Sequence, residues 1–193
     1  MAADVSNTLP IPFFEVVSHA SREATLVTKS KKIGVIGTAA TVKSGKHREC
    51  ILKELPDAQI VAQSCPLFVP LVEEGWYRPN DIVVRETVDR YLKPLMTAKV
   101  DTLILGCTHY PVLSQVITEV MGQEVKLINA GTATAKAVFR FLKEKNMLNP
   151  SQESGQTKFY VSDKADSFRI QASVLLGTEI DDSKVELVSL SSL

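Results

Sequence analysis

The sequence predicts an α/β fold with mainly parallel sheets, and three observations carry that expectation. Short runs that are apolar on both faces recur along the chain. Longer segments with helical spacing of apolar residues lie between them. The two kinds of segment alternate along the chain.

The strand-like runs, in order, are Ile11–Val17, Ile33–Gly37, Ala58–Ala62, Thr102–Gly106, Val125–Asn129, Lys158–Ser162 and Val185–Ser189. The helical segments are Lys46–Leu55, Asn80–Thr97, Pro111–Met121, Thr132–Lys145 and Asp163–Leu176. In the second of these, Val83, Val84, Val88, Tyr91, Leu92 and Leu95 form one apolar stripe. Pro111 suits a first helical turn and Gly122 a stop. Asn149–Gln156, polar and carrying Pro and Gly, reads as a loop.

The 193 residues, 45% of them hydrophobic, suffice for one large domain or two small ones. Twenty-two basic residues balance 22 acidic ones. With no net charge there is no strong field to hold nucleic acid or anionic lipid, which points to a small-molecule ligand or a protein partner. Three cysteines, Cys50, Cys65 and Cys107, make a poor disulfide framework and suggest a reducing compartment. The first residues lack a basic region followed by an apolar run, and no stretch is long enough to span a bilayer. The expectation is a soluble, cytoplasmic protein.

Ligands of open parallel sheets bind beyond the carboxyl ends of the strands, and three such ends carry polar or reactive groups. After Thr102–Gly106 come Cys107, Thr108 and His109. A thiol between a strand end and a helix start feels the positive end of the helix dipole, which favours thiolate. A buried core cysteine beside a satisfied histidine accounts for the spacing equally well. After Gly37 come Thr38, Thr41 and Ser44. Their hydroxyls and nearby N–H groups suit a carboxylate, although on spacing a capped helix start is the stronger reading. A nucleotide-binding loop is excluded, because Gly45-Lys46 is followed by His47 and Ala40 stands where the first glycine belongs. Cys65–Gly75 ends with Glu73 and Glu74, which suit either acid/base chemistry or a solvated turn. His19, His47 and His109 with the cysteines do not make a zinc pattern, so metal binding is not expected.

Taken in order, Ile33–Ser44, Cys65–Gly75, Val100–Gly106 and Gly106-Cys-Thr-His-Tyr-Pro111 resemble the glutamate racemases of the aspartate/glutamate racemase group. The match is dense from Lys31 to Leu113 and continuous on both sides. The resemblance implies a cofactor-independent isomerase with two cysteines on opposite faces of the substrate α-carbon, one removing the proton and one returning it. It implies that Cys107 is one of the two, assisted by His109. Glu73 would be the acidic residue near it, though Glu74 is adjacent. Thr108, His109, Thr38 and Thr41 would contact glutamate. It implies D-glutamate supply for peptidoglycan, hence cell-wall biogenesis and cell shape, and it admits a homodimer.

The family's opening Asp-Ser-Gly and its Cys-Asn-Thr segment with the first cysteine do not occur in this sequence, and neither Cys50 nor Cys65 matches that cysteine. A gene model begun at an internal methionine and a genuine remnant both fit. The expected architecture is two lobes of parallel sheet. Residues 18–130 form the complete lobe, and residues 1–17 with 131–193 form the remnant of the other. Impaired racemisation of glutamate by the chain as written is expected. Another amino-acid or hydantoin racemase, or a non-catalytic binding remnant, is the alternative. Any second acid/base within the chain would be sought first at Cys65 and His47.

Overall fold

A computed structural model describes residues 8–151, 153 and 155–189. They divide into two units between Leu148 and Asn149. The first runs α1 (Val16–Val27), β1 (Lys32–Gly37), α2 (Ala39–Ser44), α3 (Lys46–Glu54), β2 (Gln59–Ser64), α4 (Phe68–Glu73), α5 (Ile82–Ala98), β3 (Thr102–Leu105), α6 (Ser114–Met121), β4 (Lys126–Asn129) and α7 (Ala130–Glu144). The four strands form one wholly parallel sheet in the order β2-β1-β3-β4.

Alternation along the two central strands sends side chains to opposite faces of the sheet. Ile36, Leu103 and Leu105 join a core with Phe68 and Val72 of α4, Val84, Val88, Leu92 and Leu95 of α5, and Val116 and Ile117 of α6. Ile33, Val35 and Ile104 join a second core with Ala20 and Ala24 of α1, Ile51 of α3 and Ala133 of α7. Each fully buried Val, Leu or Ile contributes about 1.5–3 kcal/mol, so both faces are strongly held. This is why the strands read as apolar on both sides.

The helices start where their sequences supply caps. Asp81 accepts hydrogen bonds from the N–H groups of Val83 (2.8 Å) and Val84 (3.2 Å) at the head of α5. Of the expected stripe, Val84, Val88, Leu92 and Leu95 are buried, whereas Val83 is exposed. At the entry to α1, Glu15 accepts from the N–H groups of Val17 and Ser18, both at 2.7 Å. That cap corrects one expectation. Ile11–Val17 is not a strand, because Val16 and Val17 already belong to α1. The apolar run is partly exposed rather than buried on two faces.

Asp101 fastens the α1–β1 connection to the start of β3. It accepts from Thr28 Oγ1 (2.6 Å) and from the N–H groups of Lys29 (2.7 Å) and Ser30 (2.6 Å). Burial raises its pKa, but these donors outweigh it and hold the carboxyl well below the usual range.

The second unit holds β5 (Phe159–Val161), α8 (Ala165–Leu176) and β6 (Val185–Leu187). β5 and β6 pair in parallel, Tyr160 opposite Glu186. Each is three residues long, shorter than the apolar run that predicted it. Phe159 packs on Phe168 of α8 with ring centroids 5.5 Å apart.

Candidate active site

The strand order sets the place of the site. From β1 the chain moves outward to β2, then returns past β1 to β3 and on to β4. The connections after β1 and β3 therefore diverge, and a crevice opens between their carboxyl ends. Ile36 and Leu105 are register partners there. Gly37-Thr38 and Gly106-Cys107 thus leave the sheet side by side.

Both glycines are needed for that closeness. A β-carbon on Gly106 would stand 2.8 Å from the Ile36 carbonyl oxygen, and one on Gly37 would stand 2.9 Å from the Thr41 methyl. Instead, the Gly106 N–H donates to the Ile36 carbonyl at 2.8 Å. Thr41 Cγ2 reaches to 3.4 Å of the Gly106 β-position, which joins the two loops.

His109 is the hub of the predicted residues. Its Nδ1 lies 3.9 Å from Cys107 Sγ and 3.4 Å from Thr108 Oγ1. Its Nε2 lies 3.3 Å from Glu73 Oε1. Glu73, at the end of α4, is thus the member of the Glu73-Glu74 pair brought to the imidazole. A carboxylate only accepts, so it favours the proton on Nε2 and leaves the Nδ1 lone pair facing the thiol. In that state the imidazole can take the S–H proton, and Glu73 can stabilise the resulting cation. His109 is 20% exposed and Glu73 44%, so the triad borders solvent.

Thr38 caps α2, its Oγ1 accepting from the Thr41 N–H at 3.3 Å, and the two hydroxyls share a bond of 3.0 Å. One hydroxyl proton serves that bond, so the other stays available to a ligand oxygen. Both threonines are half-buried.

The helix expected from Pro111 begins differently. A 3₁₀ turn, Tyr110–Leu113, precedes α6, and the Cys107 carbonyl accepts from the Tyr110 N–H at 3.2 Å. The α-helix therefore starts seven residues after Cys107, too far for its dipole to act within a first turn. The group beside the thiol is His109. Tyr110 fixes this turn from below: fully buried, it donates to the Cys65 carbonyl at 2.8 Å and meets Phe68 edge-on at 5.1 Å.

The other thiols are set for inertness. Cys65 is fully buried, and burial pushes its pKa up to about 12. Cys50 is raised by burial, then by the nearby charges of Glu15 and Glu49. Among the described residues no group of three or more His, Cys, Asp or Glu could hold a metal ion, and no helix is long and apolar enough to cross a membrane.

One contact beside the site was not legible in the sequence. His47 of α3, 5% exposed, shares a 3.0 Å hydrogen bond through Nδ1 with the fully buried Ser21 Oγ of α1. Its Nε2 stands 3.4 Å from the Gly106 β-position. Burial lowers the His47 pKa, against a smaller opposing effect of Glu15.

Comparison with known proteins bears on this arrangement. Residues 1–138 match the Asp/Glu/Hydantoin racemase family model. A glutamate racemase of Geobacter metallireducens is 40% identical over 178 residues, 92% of this chain and 65% of the relative. A glutamate racemase of Syntrophus aciditrophicus is 36% identical over 82% of this chain and 58% of its own length. The chain thus spans less than two thirds of these relatives. The crystal structure of glutamate racemase isoform RacE1 from Bacillus anthracis superposes with a TM-score of 0.87 at 32% identity, covering 97% of this chain and 68% of that one. The glutamate racemase of Francisella tularensis, solved with D-glutamate, gives 0.86 at 30% identity over 99% and 69%. The parallel sheet, the crevice after β1 and β3 and these matches together place the chain in the Asp/Glu/Hydantoin racemase family.

Proposed function

We propose that this chain carries one wall of a glutamate racemase site and that Cys107 is one of its two proton-transferring thiols. The observation that supports this most directly is the His109 bridge between Cys107 and Glu73 at the crevice of the sheet. A thiolate relieved of its proton by His109 can remove the α-proton of an amino acid, and the thiol can return one. Thr108 and the Thr38–Thr41 pair offer hydroxyls to the substrate carboxylates from the neighbouring strand end. Inversion needs a second donor on the opposite face of the α-carbon. In this reading that group lies in the other lobe, and residues 18–130 form the lobe that bears Cys107. The reaction uses no cofactor, and its product is the D-glutamate of peptidoglycan made in the cytoplasm.

The test separates proton removal from inversion. The protein is incubated with L- or D-glutamate in deuterium oxide, and α-deuteration is followed by proton NMR while circular dichroism follows racemisation. Deuteration of one enantiomer that is lost in Cys107→Ser is expected. Deuteration of aspartate or a hydantoin in preference to glutamate would reassign the substrate. Deuteration that survives Cys107→Ser would remove Cys107 from the mechanism.

A further inference from the structure

The strand end that presents Cys107 is backed by a buried polar pair that the chemistry above does not use. Ser21 is fully buried, and His47 is nearly so. Ser21 Oγ shares its hydrogen bond with His47 Nδ1 at 3.0 Å, across 26 residues of sequence. A buried hydroxyl that leaves its proton unshared is costly, so the Ser21 O–H donates to Nδ1. The imidazole proton then sits on Nε2, and Nε2 is the atom that stands 3.4 Å from the Gly106 β-position. Gly106 thus has His47 as a neighbour on its side-chain face. Its N–H is held by Ile36 on β1, and His47 Nε2 and the Thr41 methyl, each 3.4 Å from the β-position, bound the space on its side-chain face. The Cys107 Cα follows Gly106 by one peptide, about 3.8 Å.

We propose that Ser21 and His47 form a positioning pair for Cys107, setting the Gly106-Cys107 peptide so that the thiol meets His109. The proposal rests on the reading of Cys107 as the working thiol. The contact it serves is long: Sγ to Nδ1 is 3.9 Å, at the outer limit for sulfur. A contact of that length has little to spare, so a shift at Gly106 weakens it. Three separate elements, α1, α3 and the end of β3, meet at this one ring, so the ring couples the helical face of the sheet to the site edge. The pair touches no substrate in this account and acts only through Gly106.

The experiment measures the alkylation rate of Cys107 by iodoacetamide in the folded protein, with adducts mapped by mass spectrometry. Ser21→Ala removes the hydrogen-bond partner, and His47→Leu keeps bulk without a polar atom. His47→Asn retains an oxygen near the Nδ1 position that can accept from Ser21, but has no atom where Nε2 stands beside Gly106. Ser21→Ala and His47→Leu are expected to slow Cys107 about 10-fold, the order of loss that sub-ångström misplacement brings. His47→Asn, which keeps the Ser21 bond but lacks the ring edge beside Gly106, is expected to stay as slow as His47→Leu. Cys65, fully buried, reports general opening and should stay unlabelled in all three. Unchanged or faster labelling of Cys107 overturns the proposal. So does slowing accompanied by Cys65 labelling, which marks loosening rather than positioning, or a His47→Asn rate equal to that of the unaltered protein, which would mean that the ring edge does nothing at Gly106. If His47→Leu does not fold, Ser21→Ala decides alone. Failure of the underlying reading is seen separately, as preferential labelling of Cys50 over Cys107 in the unaltered protein.

Discussion

Tyr110→Phe isolates one hydrogen bond beneath the site. The phenol is fully buried and donates to the Cys65 carbonyl at 2.8 Å. Leaving a buried acceptor with no partner costs about 1–3 kcal/mol. Here the same carbonyl also accepts from the Phe68 N–H at 3.1 Å, so it keeps one bond. The cost therefore falls at the low end, about 1 kcal/mol, because the ring and its edge contact with Phe68 survive. For a chain of this size that is a fall of about 2–4 °C in Tm. Thermal unfolding followed by circular dichroism reads it directly. Tyr110→Leu also removes the ring and leaves a cavity, and should cost several times as much. A loss of 3 kcal/mol or more in Tyr110→Phe would mean that the Phe68 bond does not compensate. No measurable loss would mean that the hydroxyl does not hold the turn. The phenol also gives a sign test. Burial raises its pKa above the ordinary 10.0, so its stabilisation is present below that value and is lost as pH rises beyond it. Tyr110→Phe should remove that alkaline loss.

Three further outcomes follow from the geometry. Gly106→Ala puts a methyl 2.8 Å from the Ile36 carbonyl oxygen, a backbone atom that cannot step aside, and should cost about 1–3 kcal/mol in urea unfolding. Glu73→Gln should slow alkylation of Cys107 severalfold yet leave the unfolding midpoint unchanged, since the Glu73–His109 pair borders solvent; an unchanged rate would detach Glu73 from the thiol. His47 has a folded-state pKa below the ordinary 6.5, chiefly through burial, so the unfolded chain takes up its proton first. Stability should hold above about pH 6.5 and decline as pH falls below it, before the carboxylates titrate, and His47→Asn should flatten that decline.

Much of this architecture is written in the alternation of the chain. The Ile33–Gly37 and Thr102–Gly106 runs are apolar on both faces because helices cover both, and periodicity records that fact. Ile11–Val17 has similar composition, but Glu15 interrupts it. A carboxylate that caps two N–H groups outweighs β-propensity at a helix entry, and composition does not show which way it will point. At the site, Cys107, Thr108 and His109 are legible because they follow one strand. The choice of Glu73 over Glu74 is a matter of which one the end of α4 turns toward His109, and neighbouring glutamates look alike in sequence. Ser21 and His47 carry no local signal at all. Each is an ordinary helical position until the α1–α3 packing brings them together.

The central strand pair has a consequence for how the molecule comes into being. Ile36 and Leu105 are partners separated by roughly seventy residues. During synthesis β1 and β2 can pair long before β3 leaves the ribosome, but the crevice cannot exist until β3 closes against β1. Parallel pairing over that span is a slow, entropically demanding step. Gly34 lies on that closing surface, where a β-carbon would stand 2.4 Å from Leu95 Cδ2 and 2.9 Å from Leu103 Cδ1. A side chain there would obstruct the last docking event, leaving a nascent chain with Cys107 and two apolar sheet faces open to aggregation.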